Sequence, residues 1–238
     1  MKQTGIIFST AMVRAQVAGI KSMTRRLRGL EEINEEPEVW EYSHWLKINE
    51  QWHACFEAKS KFKKYVKYPF GYIGDLLYVR ETFSLKAKKV IFKADEKEEP
   101  LISAHADISL VKKTKSNPVK WKSPLFLKKK DSRIWLRITD IKVERLHTIS
   151  TNHILQEGVR ILAVPGNRLL FPACENGPID FLPGNEKPWS QKELLFAWFA
   201  SLWCELHGRK SWDLNPWVWA ISYKPANIKI RTVKFKIK

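Results

Sequence analysis

Arg133-Ile-Trp-Leu-Arg-Ile-Thr-Asp-Ile-Lys-Val143 is the stretch on which the architecture turns. Apolar residues alternate at Ile134, Leu136 and Ile138, then return out of step at Ile141 and Val143. A period of two marks a strand with one face on a core, and the slip near Asp140 predicts a local irregularity. Downstream, Ser150 is placed to open a short helix that Gly158 closes. Ser190 and Glu193 form a capping box for a longer helix to Leu206, with Leu195, Trp198, Phe199, Leu202, Trp203 and Leu206 along one face. That aromatic face reads as core packing. Pro216-Trp-Val-Trp-Ala-Ile-Ser-Tyr-Lys224 is a closing strand with proline at its edge. Upstream, Gly74-Asp75 turns into the strand Leu-Leu-Tyr-Val-Arg80, and Ala11–Ala18 is a short helix that Gly19 ends. The order helix, strands, helix, strand offers few helices long enough for crossovers. It predicts an α+β chain, a small mixed β-barrel with peripheral helices, rather than a doubly wound sheet.

The chain has 238 residues, with 42 Lys+Arg against 25 Asp+Glu, a formal charge of +17. It is read as a single domain over 1–238 with inserted loops at about 29–66 and 86–130 and a basic tail over 225–238. The first insert opens with Glu31, Glu32, Glu35, Glu36, Glu38, Glu41 and Glu50, while residues 109–130 carry eight lysines and no acid. Such blocks read as solvated faces around a more ordinary core. The alternating tail suits either an edge strand or a basic arm. A basic chain is drawn to polyanions, because neutralising phosphates releases counterions. No apolar run reaches 18 residues, so no membrane span is expected. The apolar part of the N-terminus is too short for a signal peptide. Cys55, Cys174 and Cys204 are odd in number and far apart, which argues against a disulfide framework and for a cytoplasmic setting.

Walker, GxGxxG, HExxH and GxSxG signatures are missing, and the six histidines lack ligand spacing, so neither a metal nor another cofactor is expected. What remains is Gly19-Ile-Lys-Ser-Met-Thr-Arg-Arg26. Cations this close disfavour one another's charge, which eases Lys21 toward a nucleophile or base, and the arginines offer forks for phosphate or carboxylate. A solvated basic turn is the plainer alternative. A strict strand from Lys21 would put Lys21 and Thr24 on opposite faces, so a shared site requires the turn to run past Lys21.

Phe8–Arg26 resembles the opening of ASCH-domain proteins, whose hallmark is a GxKxxTxR segment after a short helix. Further matches follow in order at Pro69–Phe83, Ser132-Arg133 with Ile138–Leu146, Ile149-Ser150 with Glu157-Gly-Val159, and Ser211–Trp219. The last set is similar to the larger phage and prophage branch. The resemblance implies a PUA-like β-barrel with a cleft around Lys21, Thr24, Arg26 and Glu157, and RNA, another nucleic acid or a modified nucleoside as partner. Small bacterial members resemble amidohydrolases that deacylate N4-acetylcytidine with a Lys, a Thr and a Glu. These positions fall on Lys21, Thr24 and Glu157, giving the catalytic expectation of nucleophile or base, oxyanion donor and proton shuttle. Ser22 departs from the commoner threonine after the lysine. Three functions are thus expected in turn: a binding module, a deacylase, or a phage structural or assembly protein. In the first, Arg25, Arg26, Lys120 and Lys122 meet phosphates and Trp121 stacks on a base. The sequence leaves oligomeric state open.

Overall fold

The computed structural model describes residues 1–86, 89–96, 119–159, 162–164, 168–170 and 190–228. The expectations for residues 97–118, Cys174 and the tail beyond 228 lie outside these. The chain is a mixed α+β protein dominated by strands. These are β1 (Gln3–Ile7), β2 (Met23–Arg26), β3 (Trp40–Ile48), β4 (Gln51–Ala58), β5 (Lys63–Lys67), β6 (Leu76–Arg80), β7 (Phe83–Lys86), β8 (Lys89–Phe92), β9 (Ile134–Arg145), β10 (Leu162–Val164), β11 (Arg168–Leu170) and β12 (Trp217–Ile228). The helices are α1 (Thr10–Val17), α2 (Thr151–Gln156), α3 (Gln191–His207) and α4 (Arg209–Asp213). Among the described residues no helix is long and apolar enough to cross a membrane.

The central sheet has the order β1-β6-β9-β12-β2, with β1 parallel to β6 and the other pairs antiparallel. β9 is the long strand read from 133–143. Its inward residues Ile134, Leu136, Ile138 and Ile141 are buried. The slip in alternation is real: Ser222 faces Asp140 and Tyr223 faces Ile138, so Thr139 is the extra residue of a bulge. Among the described residues no ladder joins β1 to β2, so backbone pairing does not close the expected barrel. Side chains occupy that seam instead. Arg26, at the end of β2, donates to the Ile7 carbonyl at the end of β1 over 2.7 Å, and its guanidinium lies 5.4 Å from the centre of the Phe8 ring.

The segment 29–66 corrects a reading. Its glutamates face solvent as expected, but the residues between them do not form a solvated loop. Leu30, Ile33, Ala54 and Phe56 are wholly buried in the main core. β3, β4 and β5 form an antiparallel sheet whose first hairpin turns on Asn49 and Glu50, both at positive φ (47° and 59°). This sheet packs on β12 through Trp45, stacked 5.6 Å from Trp219, and through Phe56, edge-on to Trp217 at 5.4 Å. The Asn34 amide completes the backbone of Trp217, accepting from its N–H (2.7 Å) and donating to its carbonyl (3.0 Å). Alternating apolar and acidic residues here make one wet face and one dry face, which net charge alone hides.

Because Phe56 is wholly buried, Phe56→Ala is expected to cost about 3–5 kcal/mol, as for a ring deleted from any core. Urea denaturation followed by fluorescence and circular dichroism checks this. A loss confined to a separate, smaller transition would show that the segment stands apart from the core.

Candidate functional site

α1 is capped by Ser9, whose hydroxyl accepts from the Met12 N–H, and it ends at Gly19, whose φ is +75°. The Ala15 carbonyl takes the N–H groups of Ile20 and Lys21, at 3.1 and 3.3 Å. The chain therefore stays in a turn through Lys21, and β2 starts only at Met23. Lys21 and Thr24 consequently line the same cavity instead of opposite faces.

The C-terminal end of α2 packs against this turn and brings Glu157 to the cavity. Ser150 caps the start of α2, Glu157 is its C-cap, and Gly158 follows with φ +100°. The Ser22 N–H donates to the Gln156 carbonyl over 2.9 Å, tying the turn to this helix end. The approach is so close that a Cβ at Gly158 would meet the Ala15 Cβ at 2.9 Å and the Lys21 Cβ at 3.0 Å. Glycine is thus required twice over, by its backbone angle and by the contact.

Glu157, expected as a site residue, is 4% exposed and sits among cations. The Lys21 Nζ donates to both its carbonyl and Oε2, each at 2.8 Å. The Arg25 guanidinium donates to Oε1 at 2.9 Å and to Glu144 Oε1 at 2.5 Å, and lies 3.4 Å from His153 Nδ1. Burial pushes the Lys21 amine below its ordinary 10.5; Glu157 opposes this, and Arg26 and Arg25 add to it. Burial, and then the Glu157 charge, pushes the nearby Tyr223 phenol well up.

The cavity above this cluster measures about 300 Å³. Phe8 and Met12 form one apolar wall, and Phe199, Leu202 and Trp203 of α3 form the other. Lys21, Thr24, Arg25, Arg26, Glu157 and His207 are among its polar lining. The α3 face packs as core up to Trp203, yet four of its residues, Phe199, Leu202, Trp203 and Leu206, also line the site. Leu206, expected on that buried face, is 49% exposed and stands beside His207 on the cavity. Burial, and then the Arg26 charge, pushes His207 below its ordinary value.

The arginines divide. Arg25 lines the cavity too, but it is 3% exposed and already engaged by two carboxylates. Arg26 has no carboxylate within ion-pair distance among the described residues, and its Nε is buried without a partner. Lys120, Trp121 and Lys122 are not brought to this cavity. Lys120 and Lys122 are exposed, and half-buried Trp121 lines a separate hollow with Lys122. Glu144 and His153 were not legible as site residues. One lies on β9 and the other on α2, and only the sheet order and the helix docking bring them to Arg25.

Gly158→Ala is expected to destabilise the protein by about 2–3 kcal/mol, from the positive φ and the crowding together. It should also widen the Lys21–Glu157 contact. Thermal unfolding gives the first effect, and a crystal structure of the variant gives the second.

No protein-family model, curated protein or solved structure matches the chain.

Proposed function

We propose that the cavity binds one N-acylated nucleobase and hydrolyses its amide, as the resemblance to ASCH-domain amidohydrolases and their PUA-like barrel implies. The observation that carries this reading is the 2.8 Å contact between Lys21 Nζ and Glu157 Oε2 in a cavity that Thr24 also lines. A hollow of about 300 Å³ is at the small end for ligand sites, the scale of a single base. Its Phe8, Phe199 and Trp203 rings suit a flat heterocycle.

The chemistry follows from the groups present. In its neutral form the Lys21 amine takes a proton from water as the water oxygen bonds to the acyl carbon. The Thr24 hydroxyl and the Arg26 guanidinium donate to the oxyanion so formed. The proton then passes by way of Glu157 to the base nitrogen, the C–N bond breaks with its electron pair going to nitrogen, and a carboxylic acid and a free exocyclic amine result. Water is the only co-substrate, and no oxidation occurs. Binding without turnover is the second reading. In its favour, Glu157 holds Lys21 through carbonyl and carboxylate together, which suits a fixed ammonium donor.

A chromatographic screen of acylated nucleosides separates the two. Under the first reading wild type releases the free base or nucleoside, Lys21→Ala loses about 10²–10⁴-fold in rate, and Thr24→Val loses about 10²–10³-fold. Binding by calorimetry with no product establishes the second.

The pH profile has a defined sign. The neutral amine is the active form, so kcat/KM should rise with pH as Lys21 loses its proton, along a limb centred below 10.5. Lys21→Arg, which stays protonated, should abolish that limb. A rate that falls over the same range would contradict Lys21 as the base.

A further inference from the structure

We propose that the hollow beside the cavity is a track for a single-stranded polynucleotide, whose modified base enters the cavity; the second half of this statement rests on the deacylase reading. The hollow measures about 690 Å³ and is built from the second insert. Lys122, Lys128 and Lys130 line it with a single acid, Asp131, and Trp121 and Phe126 stand among them. Phe126 is 71% exposed, a large ring left in water among cations. Alternating point charges and flat rings match a strand that carries an anion and a π-face on each unit. An acidic peptide offers the charge without the repeated ring.

The surface is held in place before any ligand arrives. The β7–β8 hairpin pairs with the incoming chain through Phe83 and Lys122, whose N–H groups donate to each other's carbonyls at 3.3 and 2.7 Å. Ser84 Oγ donates to the Lys120 carbonyl over 2.8 Å. Phe83, Phe92 and Leu127 form a small core beneath it. The Arg133 guanidinium, buried against Glu81 (2.9 Å) and Asp95 (2.7 Å), fastens this unit to the first residue before β9.

The track and the cavity share a wall. Thr82 and Pro124 line the cavity, while their chain neighbours Phe83 and Ser123 line the track. The two hollows therefore flank the same two stretches of backbone, at Thr82-Phe83 and at Ser123-Pro124. The lysine block outside the catalytic cluster thereby acquires a position from which to hold the strand that presents the base.

The test is fluorescence anisotropy of the full chain with a labelled oligouridylate about ten nucleotides long, titrated over a range of salt. Affinity should fall with salt at a log–log slope of about −0.7 per phosphate contacted. Replacing Lys122, Lys128 and Lys130 together by alanine should flatten the slope by about 2. Phe126→Ala should weaken binding by about tenfold through lost stacking. All four side chains lie on the surface, and an unchanged melting temperature verifies that the variants fold. A flat salt dependence, or a triple variant that binds like wild type, would overturn the track. So would a polyglutamate peptide that competes as well as unlabelled oligouridylate, because the surface would then be an acidic-peptide site. Binding is read without turnover, so the two ideas fail separately. A protein that holds the strand but deacylates no nucleoside keeps the track and loses the deacylase, and the converse result removes the track alone.

Discussion

One buried carboxylate organises this molecule's site. Glu157 divides its two oxygens between Lys21 and Arg25, with every partner almost sealed from water. Removing charges from water costs several kcal/mol each, and such a cluster persists only where the geometry repays that cost. Here it does so by neutralisation in pairs. Lys21 and Arg25 face Glu157 and Glu144, leaving Arg26 as the cation without a carboxylate within ion-pair distance among the described residues. The cluster also joins separate parts of the fold, since its members come from the turn before β2, from β2 itself, from β9 and from the end of α2. Its electrostatics and the packing of the helix ends are therefore a single constraint.

Much of this was legible in the chain. Period-two alternation gave β9, and the break in that alternation gave its bulge, because a pleated strand cannot change face without an extra residue. Capping chemistry located α2 and α3 for the same local reason: Ser150 and Ser190 satisfy helix N–H groups that have no other partner. Lys21 and Thr24 could be placed together only on the condition that the turn outlasts Lys21, and the Ala15 carbonyl meets that condition.

What the sequence hid is what depends on distant pairing. Glu144 is one acid among many until β9, β12 and β2 are laid side by side. Arg25 and Arg26 look alike in sequence, yet strand alternation turns one onto Glu157 and Glu144 and the other onto the Ile7 carbonyl at the seam. The acid-rich segment hides its buried residues because net charge is a property of a whole window, whereas burial is decided residue by residue. Ile33 and Pro37 are buried between exposed glutamates. Among the described residues no ladder closes the expected barrel, for a related reason: hydropathy patterns indicate strands and not whether the last strand reaches the first.

That open seam has a mechanical consequence. Elsewhere the central sheet is joined by ladders of main-chain hydrogen bonds that part only together, but β1 and β2 are bridged by a side-chain hydrogen bond from Arg26 to the Ile7 carbonyl. No main-chain ladder has to part there, so the strands are held along that line by the Arg26 side chain and by the packing around buried Phe8. The residues along this line, Ile7, Phe8, Thr24 and Arg26, are also ones that line the cavity, so a change that loosens the seam acts directly on the shape of the site.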